Sequence, residues 1–260
     1  PAIGVDVGGT TFSVDLVSKE GRILLADGGE TLANQGAEDV VGRITDCILR
    51  VLEKAGLAGA DLAGVGMGIP GLHDRENGIV LTSPNLKWDK VPVRDMVVSA
   101  VGTDFYMDGD VRVAAIGERY FGAAGGCDNF IFITLGTGIG SGIFIDGKLY
   151  RGPGGFAGEV GHQTIVENGP LCGCGNYGCV ESLAGNQGIV RRARLALEKE
   201  EAPLLLKEIG GDLDRITPAA LHSAAVAGCE LSREVLAATG RYVGTAMANL
   251  VNVLNPEKII

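Results

Sequence analysis

Residues 2–26 alternate apolar and polar positions in short runs broken by turn residues. Three strands of a meander are predicted at Ala2–Val7, Thr11–Val17 and 22–26, separated by Gly8-Gly9 and Lys19-Glu20-Gly21. The period then changes: Val40, Val41, Ile44, Ile48, Val51 and Leu52 recur every three or four positions, predicting an amphipathic helix over Ala37–Ala55. Strands are predicted at 64–69, 78–82 and 105–107, and helices at 92–101 and 111–120. The meander pattern returns at Phe130–Leu135 and 140–145, on either side of Gly136-Thr137-Gly138. Helical periodicity dominates the back third, at 181–199, 218–227 and 233–252. Asn255-Pro256 is the stop, and a strand begins at Glu257 as the sequence ends in mid-element, reading as an incomplete C-terminus. Each half thus contains a hairpin with a glycine-threonine turn. The expectation is an α/β protein of two domains, 1–118 and 119–260, around a cleft.

Composition narrows the class. The chain has 260 residues, 46% of them apolar, and 42 glycines without a collagen period, which implies many tight turns. A net charge of −10 argues against nucleic acid or an anionic membrane as partner. An anionic ligand would need local devices: backbone amides, helix N-termini or a metal ion. No apolar run approaches the ~20 residues of a membrane span, and no signal peptide is read at the N-terminus. Three of the six cysteines fall within 172–179, which reads as a metal cluster. Cys47, Cys127 and Cys229 read as buried thiols, and the cytoplasm is the expected compartment.

Four groups of residues carry candidate chemistry. In Asp6-Val7-Gly8-Gly9-Thr10-Thr11, glycines let backbone N–H groups approach a phosphate, the threonines add hydroxyls, and Asp6 suits a hydrated Mg²⁺. A plain tight turn explains this motif equally well on its own. Gly136, Thr137 and Gly138 supply a second such turn, and the pair suggests a two-part phosphate clamp. Asp110 stands where a helix opens, as a helix cap or as a general base. Glu159-Val160-Gly161-His162, followed by Cys172, Cys174 and Cys179, offers three thiolates and an imidazole for a structural tetrahedral zinc; Glu159 and Glu181 flank it. Gly68-Ile69-Pro70-Gly71 and Ser83-Pro84-Asn85-Leu86-Lys87-Trp88 read as ordinary loops, although Asn85 is a usable amide ligand for a hydroxyl.

Taken together these motifs resemble the ROK family (repressors, uncharacterised reading frames, sugar kinases), most specifically in Cys-x-Cys-Gly-x-x-Gly-Cys-x-Glu at 172–181. The resemblance implies an actin-like, ribonuclease-H-like fold and ATP-dependent phosphorylation of a hexose, glucose first, at the 6-hydroxyl. N-acetylmannosamine, N-acetylglucosamine and fructose are the alternative acceptors, and polyphosphate the alternative donor. It assigns Asp110 as base, and Gly71, Asn85, Asp110, Glu159, His162 and Glu181 to the sugar. His162, Cys172, Cys174 and Cys179 would hold Zn²⁺, Asp6 would act through Mg²⁺, and the two glycine turns would carry the ATP phosphates. A homodimer is expected from resemblance alone. Two positions depart from the family pattern: Gly109 replaces an asparagine that binds sugar, and Arg112 replaces a second asparagine. These leave a catalytically weak sugar-binding protein as the alternative from another class.

Overall fold

The computed structural model describes residues 1–260, which fall into two compact units. Unit 1 comprises Pro1–Gly126 with Arg151–Phe156, and unit 2 comprises Cys127–Tyr150 with Ala157–Ile260. The expected boundary at 118/119 lies inside a helix that runs on to Phe121, so the first unit extends past it. The chain then returns to unit 1 for Arg151–Phe156, a crossing that no sequence pattern marks.

In unit 1, β1 (Ala2–Val7), β2 (Thr11–Val17) and β3 (Ile23–Glu30) form the predicted antiparallel meander. Helix α1 (Ala37–Ala55) buries Val40, Val41, Ile44, Cys47, Ile48, Val51 and Leu52, and ends on Gly56 in the left-handed conformation. Strand β4 (Val65–Gly68) pairs in parallel with β1. A small antiparallel sheet follows, of β5 (Leu72–Asp74), β6 (Ile79–Ser83) and β7 (Trp88–Val91). Then come α2 (Val93–Val101), β8 (Phe105–Asp108), which pairs in parallel with β4, and α3 (Asp110–Phe121). The main sheet therefore runs β3-β2-β1-β4-β8. One face of it is sealed by a core that includes Ile3, Val5, Val14, Ile44, Ile48 and Met67.

Unit 2 repeats the theme. Strands β9 (Phe130–Leu135), β10 (Ile139–Ile145) and β11 (Lys148–Tyr150) make an antiparallel meander, and β12 (Lys258–Ile259) pairs in parallel with β9. The predicted helix at 181–199 is two helices, α4 (Val180–Ala184) and α5 (Asn186–Leu197). The break is at Gly185, whose backbone is extended and whose missing Cβ would lie 2.8 Å from the Glu181 carbonyl oxygen. Helices α6 (Pro203–Glu208), α7 (Pro218–Val226) and α8 (Glu230–Leu254) complete the unit. Here α5, α6 and α7 share a second core around Leu205, Ile209 and Leu221. No helix is long and apolar enough to cross a membrane. All six cysteines are free; Cys47 and Cys229 are buried as expected, whereas Cys127 is only partly so.

Candidate active site and metal centre

Strands β1, β4 and β8 are parallel, so their C-terminal ends share one edge of the unit 1 sheet. Asp6, Gly68 and Asp108 lie in register across that edge. In open α/β sheets this is where ligands bind, because successive loops diverge there. The segments that leave these strands hold the 8–11 turn, Ile69-Pro70-Gly71 and Gly109-Asp110.

The first turn is braced by its own backbone and by one hydroxyl. Gly8 N–H donates to the Thr11 carbonyl at 2.9 Å, Thr31 N–H to the Thr10 carbonyl at 2.7 Å, and Thr31 Oγ1 to the Gly8 carbonyl at 2.7 Å. The N–H groups of Gly9 and Thr10 donate to no backbone acceptor, and both residues are exposed. Asp6 is exposed at the end of β1, yet its carboxyl is pushed above the ordinary range, first by partial desolvation and then by the charges of Asp110 and Asp15. A hydrated Mg²⁺ fits this chemistry: hard carboxylate oxygens, crowded by like charge, gain from a divalent cation beside them.

Asp110 is the first residue of α3. The N-cap is Gly109, with no side-chain capping bond, so the choice between cap and base turns against the cap. Gly68 lets this segment come close, since a Cβ there would stand 3.3 Å from the Asp110 Cα. Asn85 is exposed on the link between β6 and β7, where Leu86 N–H donates to the Ser83 carbonyl at 3.2 Å. The Asn85 backbone faces Gly9, so the structure brings Asn85 and the first turn together. Trp88 is not a loop residue but opens β7, buried to 3% exposure. Gly71 has φ +126°, and a Cβ would fall 2.2 Å from the Thr82 carbonyl oxygen, so the backbone itself requires glycine there.

Sequence reasoning passed over Asp108, a carboxylate 3% exposed beside the proposed base. Arg151 holds its Oδ2 through Nε at 2.9 Å and Nη2 at 2.7 Å. Arg75 Nε approaches the same oxygen at 3.5 Å, Arg112 Nη1 stands 3.6 Å from Oδ1, and Gly109 N–H donates to Oδ1 at 2.9 Å. Arg112, which read only as a departure from pattern, is thus one of three guanidinium groups around a buried charge. The signal in the sequence was an aspartate ending an apolar strand, which must be paired to be buried. Burial also holds the nearby His73 imidazole below its usual range, against the opposing pull of Asp108.

In unit 2, His162, Cys172, Cys174 and Cys179 converge with their ligand atoms within 4.8 Å of one another. His162 Nδ1 lies 3.7 Å from Cys172 Sγ, and Cys174 Sγ lies 3.8 Å from Cys179 Sγ. Donors about 2.0–2.3 Å from one tetrahedral Zn²⁺ stand roughly 3.5–3.8 Å apart, so the four fit a structural zinc. The knuckle closes through Cys172 N–H to the Asn176 carbonyl at 2.8 Å and Gly175 N–H to the Cys172 carbonyl at 3.0 Å. Gly178 has φ +68°, and a Cβ there would run into the Val166 carbonyl, so only glycine passes. Burial, then the neighbouring thiols, pushes the Cys179 thiol up to about 12. The backbone N–H of Asn176 holds Cys174 low. A divalent ion among the thiols favours every thiolate.

Glu159 is exposed just before the short helical turn Val160–His162, and Glu181 is the second residue of α4. Glu181 is already engaged: its Oε2 accepts the Ile139 N–H at 2.9 Å, at the base of the 136–138 turn. The second turn is closed by Gly136 N–H donating to the Gly138 carbonyl at 3.0 Å and is held from α5 by Asn186 N–H donating to the Gly136 carbonyl at 3.0 Å.

A glucokinase of Thermotoga maritima is 38% identical over 259 residues, covering 99% of this chain and 80% of that protein. A xylose repressor of Caldicellulosiruptor bescii is 34% identical, covering 99% of this chain and 64% of the repressor. Among solved structures, a ROK family glucokinase from Streptomyces griseus, in complex with glucose and AMPPNP, matches with TM-score 0.82 and 36% identity over 99% of this chain and 81% of its own. A ROK family transcriptional regulator, homologous to the E. coli MLC protein, matches with TM-score 0.83 and 29% identity over 99% of this chain and 63% of its own. The fold is the mixed α/β, actin-like ATPase fold of the ROK glucokinase structures. The model of the ROK family matches residues 2–260, and the chain belongs to that family.

Proposed function

We propose that the protein is an ATP-dependent hexose kinase, with glucose as the first acceptor to test. One observation carries the reading. The edge where β1, β4 and β8 end sets Asp110, the first residue of α3 and not its N-cap, within electrostatic reach of Asp6, with the exposed Gly9 and Thr10 amides following β1. The glucokinase relatives support it from outside the site.

In the proposed reaction MgATP supplies the γ-phosphoryl group. Asp110 accepts the proton of the hexose 6-hydroxyl as that oxygen bonds to phosphorus and the bond to the ADP oxygen breaks. Asp6 holds the hydrated Mg²⁺, and the amides of the 8–11 and 136–138 turns neutralise phosphate oxygens. Asn85 and Gly71 of unit 1, with Glu159, His162 and Glu181 of unit 2, are the proposed hydroxyl contacts. His162 presents Nδ1 to the metal cluster, which leaves its other ring nitrogen for a sugar.

Gly109 and Arg112 bear on the acceptor. With no side chain at 109, one amide contact is missing and the Arg112 chain lies alongside, its Cδ 3.9 Å from where a Cβ would stand. Glucose, N-acetylmannosamine, N-acetylglucosamine and fructose, each with ATP or polyphosphate in a coupled assay for product, test the reading. Sugar-dependent turnover is expected. Hexose binding by calorimetry without turnover for any pair would replace the kinase with a sugar-binding protein.

A further inference from the structure

Glu181 has two contacts that a role in sugar binding leaves unexplained. Its Oε2 accepts the Ile139 N–H at 2.9 Å, and a Cβ on Gly138 would come within 2.6 Å of that same oxygen. Its Oε1 lies 3.9 Å from Cys172 Sγ, one of the four converging donors. The backbone between these contacts is that of α4, five residues long, whose N-cap is Cys179, another of those donors. A helix this short has no stability of its own, so its position is set by what holds it: the bonds of its first turn and the packing of Val180 and Ala184 with Ile139 and Ala246. Ser182 Oγ donates to the Cys179 carbonyl at 2.8 Å, and Val180 N–H to the Gln163 carbonyl at 3.0 Å, next to the ligand His162. The far end of α4 reaches the same glycine turn. A Cβ on Gly185 would stand 3.3 Å from the Thr137 carbonyl oxygen, and Asn186 N–H bonds to Gly136. The segment from Cys179, one of the four converging donors, to Asn186 at the start of α5 therefore bonds the turn on both sides, through Glu181 to Ile139 and through Asn186 to Gly136.

We infer that Glu181 is a positioning residue that transmits occupancy of the Cys/His cluster to the 136–138 turn and thereby sets affinity for the nucleotide phosphates. The inference rests on the phosphate assignment of that turn proposed above. Glycines are costly to order, so amides that must face a phosphate gain affinity when another group holds them in place beforehand. With the metal bound, Cys179 fixes the start of α4, and the Glu181 carboxylate keeps the turn in register. With the metal removed, the short helix loosens and the turn follows.

The test uses the full chain as wild type, Glu181→Ala and Glu181→Gln, each zinc-loaded and chelator-stripped. Hydrogen exchange of the Ile139 amide is followed alongside MgADP titration. Stripping the wild type is expected to speed Ile139 exchange and weaken MgADP binding, each by about tenfold, the scale of one charged hydrogen bond. Zinc-loaded Glu181→Ala should show the same loss, and stripping it should add little, because the link is already cut. Glu181→Gln keeps a neutral acceptor for Ile139 and should recover part of the loss. Ile139 exchange that ignores Glu181→Ala, or a metal effect as large in that variant as in wild type, overturns the inference. So does an exchange response that MgADP affinity does not share. Zinc-loaded wild type that binds no MgADP refutes instead the phosphate assignment of the turn, while the exchange data still judge the link from metal to turn.

Discussion

The 8–11 turn joins β1 to β2 and the 136–138 turn joins β9 to β10, in sheets that share a three-strand meander with a further parallel strand. Their supports differ. The first is braced by its own backbone and by Thr31, and its neighbouring carboxylate, Asp6, stays out of the brace. The second is held by a carboxylate, Glu181, brought from 42 residues further along the chain, and by the start of α5. A turn that supports itself leaves its acid available for a cation. A turn that borrows an acid for support is tied to whatever fixes that acid. On the proposed reading, unit 1 would supply the base and the cation ligand, and unit 2 a turn whose support leads back to its Cys/His cluster.

The sharpest way to break that division is Asp110→Asn. If unit 1 holds the base, kcat should fall by about 10²–10⁴-fold while hexose affinity in calorimetry barely moves. Weaker hexose binding with kcat unchanged would place Asp110 among binding groups only. Next come matched glycine substitutions in the two turns. Gly138→Ala collides with Glu181 Oε2 at 2.6 Å, whereas a Cβ on Gly9 meets the Asn85 carbonyl oxygen at 3.5 Å and the Asn85 Cβ at 3.7 Å, both ordinary contacts. Gly138→Ala should raise the KM for ATP about tenfold, roughly one charged hydrogen bond, and Gly9→Ala should raise it clearly less. Equal damage from both would erase the distinction between the turns.

The smallest expected effect is on stability. The Asp6 pKa is raised in the folded chain, so the folded state binds its proton more tightly than the unfolded state does. Ionised Asp6 therefore destabilises the fold above that raised pKa, and the penalty fades as pH falls through it toward the unfolded value. Asp6→Asn should raise the melting temperature at pH 7 without Mg²⁺, with the gain shrinking on acidification. Added Mg²⁺ should stabilise the wild type and leave Asp6→Asn unmoved. A variant that melts below wild type would show that Asp6 braces its turn after all.

Much of this was readable from residue order because it is local. Strand alternation gave β1, β2 and β9 with their bounds, and three-four spacing gave α1 from end to end. The convergence of His162 with the three cysteines was legible too, since three of the four lie within 172–179 and the fourth is ten positions earlier. What escaped depends on distance along the chain. The split of 181–199 into α4 and α5 falls at Gly185, whose extended backbone lies close to both the Glu181 and Thr137 carbonyl oxygens, and the apolar spacing across it gives no sign of the break. Strands β5 and β7 are too short to alternate visibly, and β7 hides behind the Pro84-Asn85 loop signal. The role of Asp108 escapes local reading because its strongest partner, Arg151, is 43 residues further on.

That last pairing bears on how the protein is made. Arg151 belongs to a segment that rejoins unit 1 after three strands of unit 2 have been laid down. During synthesis the first 126 residues emerge with Asp108 still lacking its bidentate cation, and an incompletely paired buried carboxylate disfavours closing the site around it. Until Arg151 emerges, Asp108 has only Arg75, Arg112 and the Gly109 amide to hold it, so the last and shortest of its ion pairs forms after most of unit 1 has left the ribosome.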